Sequence, residues 1–178
     1  MPERREQRAA DLHWLATLLT GCGEIAADVT LEALSASDDP DAVFSAWMHA
    51  WSRRLVIARA LTAVREDLAA SARRMALRRV ERSAFPQRSW ELDQGTTKSD
   101  LERALLSIDV FPRASVLLLI FERVPLSDAA ILLDAKPDLV CKAQAASVRE
   151  LTINLARMQG WKFAATNSNQ LTSGCDHA

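Results

Sequence analysis

Tyrosine is absent from this chain, and only five glycines and six prolines occur among its 178 residues. So few helix breakers leave room for long, uninterrupted helices. The shortage of strand-favouring aromatics, beside abundant Ala, Leu and Arg, points the same way. Cysteine is equally scarce. Cys22, Cys141 and Cys175 are odd in number and far apart, which implies no disulfide framework and makes Cys22 and Cys141 read as buried packing thiols. His13, His49 and His177 stand at no ligand spacing with them, so no metal site is expected. The longest apolar stretch, Val116 to Phe121, is far too short to span a bilayer. The N-terminal MPERREQRAADLHWL lacks the apolar run of a signal peptide. A cytoplasmic protein with no membrane partner is expected. Paired carboxylates with a histidine, Gly-rich phosphate loops and nucleophile motifs are also missing, so the expectation is no enzyme, no cofactor and no small-molecule substrate.

What is present is ordinary globular composition, 49% hydrophobic and 25% charged. The net charge of −1 is unevenly spread. Arg53 to Arg82 holds nine arginines against three acids, whereas Asp100 to Val140 holds seven acids against four basic residues. The expected fold is all-α: two small helical domains joined by a flexible linker, the C-terminal one a helix-turn-helix. The first domain covers residues 11–82, the linker 83–99, the second domain 100–158, and residues 159–178 read as a disordered tail.

Along the chain, Leu12, Leu15, Ala16, Leu18 and Leu19 have helical spacing, and Gly21-Cys22-Gly23 stops that helix. A second helix runs from Glu24 to about Ser35. A long third one runs from Ala42 towards Arg82, with a break expected near Arg65 to Leu68. Val43, Phe44, Trp47, Trp51, Leu55 and Ala58 fall on its apolar face. Trp47 reads as a core aromatic. Trp51, beside Arg53, Arg54 and Arg59, reads either as a second core aromatic or as a stacking surface for unpaired bases, and the arginines as phosphate contacts or a solvated face. After the linker, Ser99 is the expected cap of a helix ending at Phe111-Pro112. A second runs from Arg113 to Arg123, with Val116, Leu117, Leu119, Ile120 and Phe121 buried.

The second half is organised around Ser127 to Ala143, SDAAILLDAKPDLVCKA. Ser127 is the expected cap of a short helix. Asp134 is suited to a turn position with positive φ, and Pro137 is suited to the first turn of the next helix, where its missing N–H costs nothing. Ala130, Leu133 and Val140 would pack where the two helices cross. This is a helix-turn-helix pattern. Lys136, Lys142, Gln144 and Arg149 are its available donors to phosphates or base edges.

Taken together, these residues resemble the small, extracytoplasmic-function members of the sigma-70 family of RNA polymerase sigma factors. Leu18-Leu19-Thr20-Gly21, followed by Glu24, Ala26, Asp28 and Glu32, resembles the family's Leu-Thr-Gly turn and its acidic polymerase-binding helix. Phe44-x-x-Trp47, continuing to Arg53 and Arg54, resembles the helix that opens the −10 element. Arg113, the Val116 to Leu119 run, Leu126-Ser127, Ala130, Leu133 and Val140 resemble the −35-binding domain. The resemblance implies a transcription-initiation protein that binds core RNA polymerase through Asp28 and Glu32. It implies promoter DNA contact through Trp51, Arg53, Arg54, Arg59, Lys136, Lys142, Gln144 and Arg149, and an anti-sigma protein as a further partner. Where the family commonly places Lys, Ser and Arg after the recognition-helix valine, this chain has Cys141, Lys142 and Ala143. That favours an alternative: a degenerate sigma-like regulator acting through protein–protein contacts without reading DNA.

Overall fold

The computed structural model describes residues 2–36, 45–78 and 96–159. Within them the chain is all-α, with no strand among the described residues. Residues 79–95, most of the expected linker, and residues 160–178 of the expected tail lie outside the described residues, as do Val43 and Phe44.

Helix α1 (Pro2–Thr20), α2 (Gly23–Ser35) and α3 (Ser45–Ala63) pack as a three-helix unit. Leu12, Leu15, Ala16, Leu18 and Leu19 face Ala26, Val29 and Ala33 of α2, and Val56, Ile57, Ala60 and Leu61 of α3. The α1–α2 corner turns at Gly21, whose φ of +72° is costly for any residue with a Cβ. Its amide still bonds to the Thr17 carbonyl at 2.8 Å, and Thr20 Oγ1 accepts from the Cys22 amide at 3.2 Å.

The break expected in the long third helix is real and falls at Val64, whose φ of −107° and ψ of 21° leave the helical region. Helix α4 (Arg65–Leu77) then takes a new direction, with Leu68, Ser71 and Met75 on its buried side. The apolar face of α3 is not the one its tryptophans suggest. Ser52, Val56, Ile57, Ala60 and Leu61 are buried, while Trp47 is 61% exposed and Trp51 45% exposed. Small residues let helix backbones approach closely, and Ser52 and Ala60 do so here. Ser52 Oγ also bonds to the Met48 carbonyl and accepts from Arg8, which reaches over from α1.

The second half begins earlier than the sequence suggests. Thr97, not Ser99, caps α5 (Lys98–Leu106). Thr97 Oγ1 accepts from the Asp100 amide, and the Asp100 carboxylate accepts from the Thr97 amide, each at 3.1 Å. The Thr97 hydroxyl, then the Thr97 amide and Arg103, donate to the Asp100 carboxylate and hold it below the usual carboxylate range. Phe111 and Pro112 do not end that helix. They lie inside the next one, α6 (Val110–Val116), which Asp109 caps and in which proline occupies the first turn.

Helix α6 lies at the centre of the molecule. Every side chain from Phe111 to Leu118 is buried, and the helix touches α1, α4 and α8. It continues into a π-helical turn, Leu117–Phe121, closed by Glu122 N–H to Leu117 O at 2.9 Å. The widened turn rotates Ile120 and Phe121 outward, to 44% and 42% exposure, contrary to the expected burial. Arg123 follows with φ +53°.

Helix α7 (Leu126–Leu132) and α8 (Pro137–Met158) complete the chain. Pro125, not Ser127, takes the capping position of α7, and Ser127 Oγ instead bonds the Asp128 carboxylate. Asp134 adopts φ +48° in the turn, Pro137 stands in the first turn of α8, and Ala130, Leu133 and Val140 are buried. Cys141 is exposed rather than buried.

One continuous apolar core runs from Leu12 of α1 to Ala143 of α8. Polar contacts reinforce the junction between the halves. The Phe111 amide donates to Ser71 Oγ at 3.1 Å. Trp14 Nε1 donates to Glu102 at 3.0 Å, with Lys98 Nζ 4.6 Å above the same indole ring. Arg74 bonds Asp109, and Arg78 bonds Glu150.

Candidate nucleic-acid and partner surfaces

Helix α3 presents two faces. The inner one is committed to the core. The outer one carries Trp47 and Trp51, spaced one helical turn apart, with ring centroids 5.9 Å apart and planes 9° from parallel. Arg54 lies on the same open side, exposed and without a partner among the described residues. The two stacked indoles form one contiguous exposed apolar patch on this side of α3. Trp47, assigned to the core by sequence reasoning, is therefore the larger part of this surface. The available signal was the second apolar stripe of α3, Val56, Ile57, Ala60 and Leu61, which competes for the core.

The arginines proposed beside the tryptophans part company. Arg53 turns towards the second half, and its Nε and Nη2 both donate to the Glu122 carboxylate. These bonds outweigh the burial that would lower it, so the Arg53 guanidinium is held above the usual arginine range. Arg59 pairs with Glu32 at 2.7 Å, with both side chains about half exposed. A residue expected to touch DNA and one expected to touch polymerase are thus bonded to each other. Asp28, one turn before Glu32, remains exposed, as do Glu24 and Leu31.

His49 lies on α3 between these groups. Burial, then the positive charges of Arg53 and Arg8, push its imidazole below the usual histidine range, outweighing Asp11 and Glu122.

On α8 the expected donors are equally dispersed. Lys142 Nζ points at the end of α4, bonding the carbonyls of Met75 at 3.0 Å and Arg78 at 2.6 Å, with Ala76 at 3.4 Å. It satisfies carbonyls that a helix end leaves unpaired, where a positive charge also meets the negative pole of the helix. Gln144 and Arg149 are half-buried, and Lys136 is exposed just before α8. The open face of the first turns of α8 carries Asp138, Cys141 and Ala145. That face offers no cation.

A cleft of about 380 Å³ opens where the halves meet, lined by Thr20, Gly21, Asp67, Arg74, Asp109 and Arg113 among others. Arg113 is 5% exposed, and its Nη1 donates to the carbonyls of Leu106 at 3.2 Å and Ile108 at 2.9 Å. Burial lowers its pKa, and Asp109 opposes the shift. Its Nη2 would lie 3.1 Å from a Cβ built on Gly21. The Thr20-Gly21 corner and Arg113, placed by resemblance in separate domains, are neighbours. For Asp109, burial pushes the carboxyl up, but bonds from Arg74, Ser71 and the Val110 amide prevail and hold it below the usual range.

Among the described residues no cluster of His, Cys, Asp or Glu could hold a metal ion, and no helix is long and apolar enough to cross a membrane. Comparison of the chain with protein-family models, curated proteins and solved structures finds no match.

Proposed function

We propose that this chain is a sigma-like transcription protein that docks on core RNA polymerase through the acidic face of α2 and meets unpaired promoter DNA on the outer face of α3. The observation that supports this reading most is the outward, near-parallel Trp47–Trp51 pair beside Arg54. Bases stack on exposed indoles irrespective of sequence, and a neighbouring guanidinium meets the backbone phosphates. The exposed Glu24 and Asp28, on the helix that follows the Leu-Thr-Gly corner, fit the resemblance to the polymerase-binding element.

A second reading is favoured by α8. The absence of a cation from the open face of its first turns, and the use of Lys142 in bonds to the end of α4, support a regulator that contacts proteins and leaves −35 DNA unread. Both readings share the α2 docking face and differ in promoter recognition.

The separating experiment is binding of a labelled single-stranded oligodeoxynucleotide followed by fluorescence anisotropy. The DNA-contact reading predicts saturable binding that Trp51→Ala weakens about tenfold, since one stacked base contributes about 1–3 kcal/mol. Arg54→Ala should flatten the salt dependence, since one phosphate contact is lost. Absence of binding by the unmutated chain, alone and with core polymerase, would leave the regulator reading.

A further inference from the structure

Arg113 is the one charged residue of α6, and it is 5% exposed. A guanidinium keeps its charge at neutral pH, so burial leaves it in need of hydrogen-bond partners. Only part of that need is met. Nη1 donates to the Leu106 and Ile108 carbonyls, whereas the Nε–Nη2 edge makes no hydrogen bond among the described residues, and Nε is wholly buried. This is the edge with which Arg53 holds Glu122 and Arg74 holds Asp109. It matches the two oxygens of one carboxylate. Asp109, the acid whose charge reaches Arg113, has its oxygens engaged by Arg74 and the Val110 amide. The unpaired edge meets the cleft at Gly21, where a Cβ would stand 3.1 Å from Nη2. Glycine is the residue that leaves a ligand room beside the backbone. The cleft, about 380 Å³, is also lined by Asp67 and Arg74 of α4. That volume suits a molecule of small organic-acid size. Arg74 is paired with Asp109, and Asp67 is exposed with no ion pair among the described residues. A multiply charged phosphate is repelled by Asp67, whereas a single carboxylate balances the one charge of Arg113.

We infer that this cleft binds a small monocarboxylate, whose carboxylate is received by Nη2 of Arg113 beside Gly21. The walls come from the α1–α2 corner, from α4 and from the α5–α6 corner, so an occupant joins the two halves. It stabilises the compact chain by mass action. Among the described residues none of α2 or α3 lines the cleft, and the site is independent of the nucleic-acid reading of α3.

The test follows the amide and Arg113 Nε–H resonances of the full-length chain by NMR as sodium acetate, phosphate or chloride is added at constant ionic strength and pH. Acetate should move Gly21 and Arg113 along a saturating curve that chloride and phosphate do not reproduce. Asp67→Asn removes a like charge from the cleft and should tighten acetate about twofold to fivefold over the charge-matched Glu66→Gln, the preceding residue of α4. Gly21→Ala, whose Cβ crowds Nη2, should lose the response at Arg113 while resonances far from the corner stay in place. An acetate response equal to that of chloride, or one indifferent to Asp67→Asn, overturns the site. A response kept in full by Gly21→Ala overturns its placement at Arg113. Tighter saturable binding of phosphate than of acetate overturns the choice of a carboxylate.

Discussion

Replacing Lys142 with methionine removes one charge while keeping most of the stem, so it isolates the clasp between α8 and the end of α4. The ammonium bonds the carbonyls of Met75 and Arg78, with Ala76 at the limit of bonding distance. A hydrogen bond to a charged group contributes about 1.5–3 kcal/mol when well buried. Here Ala76 and Arg78 are exposed, so their carbonyls can turn to water. The low end, about 1.5 kcal/mol, is the appropriate figure for the set. The positive charge at the helix C-terminus adds about 0.5 kcal/mol. The expected loss is therefore about 2 kcal/mol, or about 4–8 °C in Tm for a chain of this length. Urea unfolding followed by circular dichroism measures it without adding salt, and hydrogen exchange at the last-turn amides of α4 should quicken in parallel. Lys136→Met, at an exposed lysine preceding α8, should stay within about 0.5 kcal/mol of the parent. Indistinguishable midpoints for the Lys142 and Lys136 variants would refute the reasoning.

Gly21→Ala places a Cβ in a left-handed conformation and 3.1 Å from Arg113 Nη2. The backbone alone costs about 1–2 kcal/mol, and thermal unfolding should show a loss at least that large. His49 supplies a pH dependence. Its pKa is lowered in the folded chain, so below the ordinary value of 6.5 the unfolded chain takes up a proton that the folded chain resists. Stability contributed by the neutral imidazole is complete above pH 6.5 and is lost progressively as pH falls below it. His49→Gln should remove that slope, as measured by urea midpoints between pH 7.5 and about 5.

The helices were legible where local chemistry decides them. Gly21, Asp134 and Pro137 each stand where a turn or a helix start demands their backbone preferences, and each does in the structure what its residue type favours. The break in the long third helix was legible because its length is improbable for one straight helix. Tertiary choices were not. Helix α3 carries two apolar stripes, and packing against α1 and α2 decides that Val56, Ile57, Ala60 and Leu61 go inward and Trp47 outward. Ile120 and Phe121 read as buried because an α-helical period continues through them, and the π-helical turn changes that period. Burial of Cys141 failed for a related reason: Val140 and Ala143 on either side point inward, and residue 141 falls between them on the open side of α8.

The candidate site was legible as composition and not as geometry. The arginines of α3 share a segment, yet Arg53 pairs with Glu122, 69 positions away, and Arg59 with Glu32 on the neighbouring helix. Lys142 likewise meets carbonyls that lie 64 to 67 positions earlier. Partners at such separations leave no periodic trace in a single sequence. Charge counts along the chain could say only that a basic segment and an acidic one are present to be paired.

The most direct test of the sigma-like reading is a salt-titrated binding measurement between the purified full-length chain and bacterial core RNA polymerase. The account predicts saturable binding, weakened when Asp28 and Glu32 are both changed to alanine and left largely intact by Arg54→Ala. Absence of binding to core enzyme at low salt, or binding indifferent to Asp28 and Glu32, would contradict it.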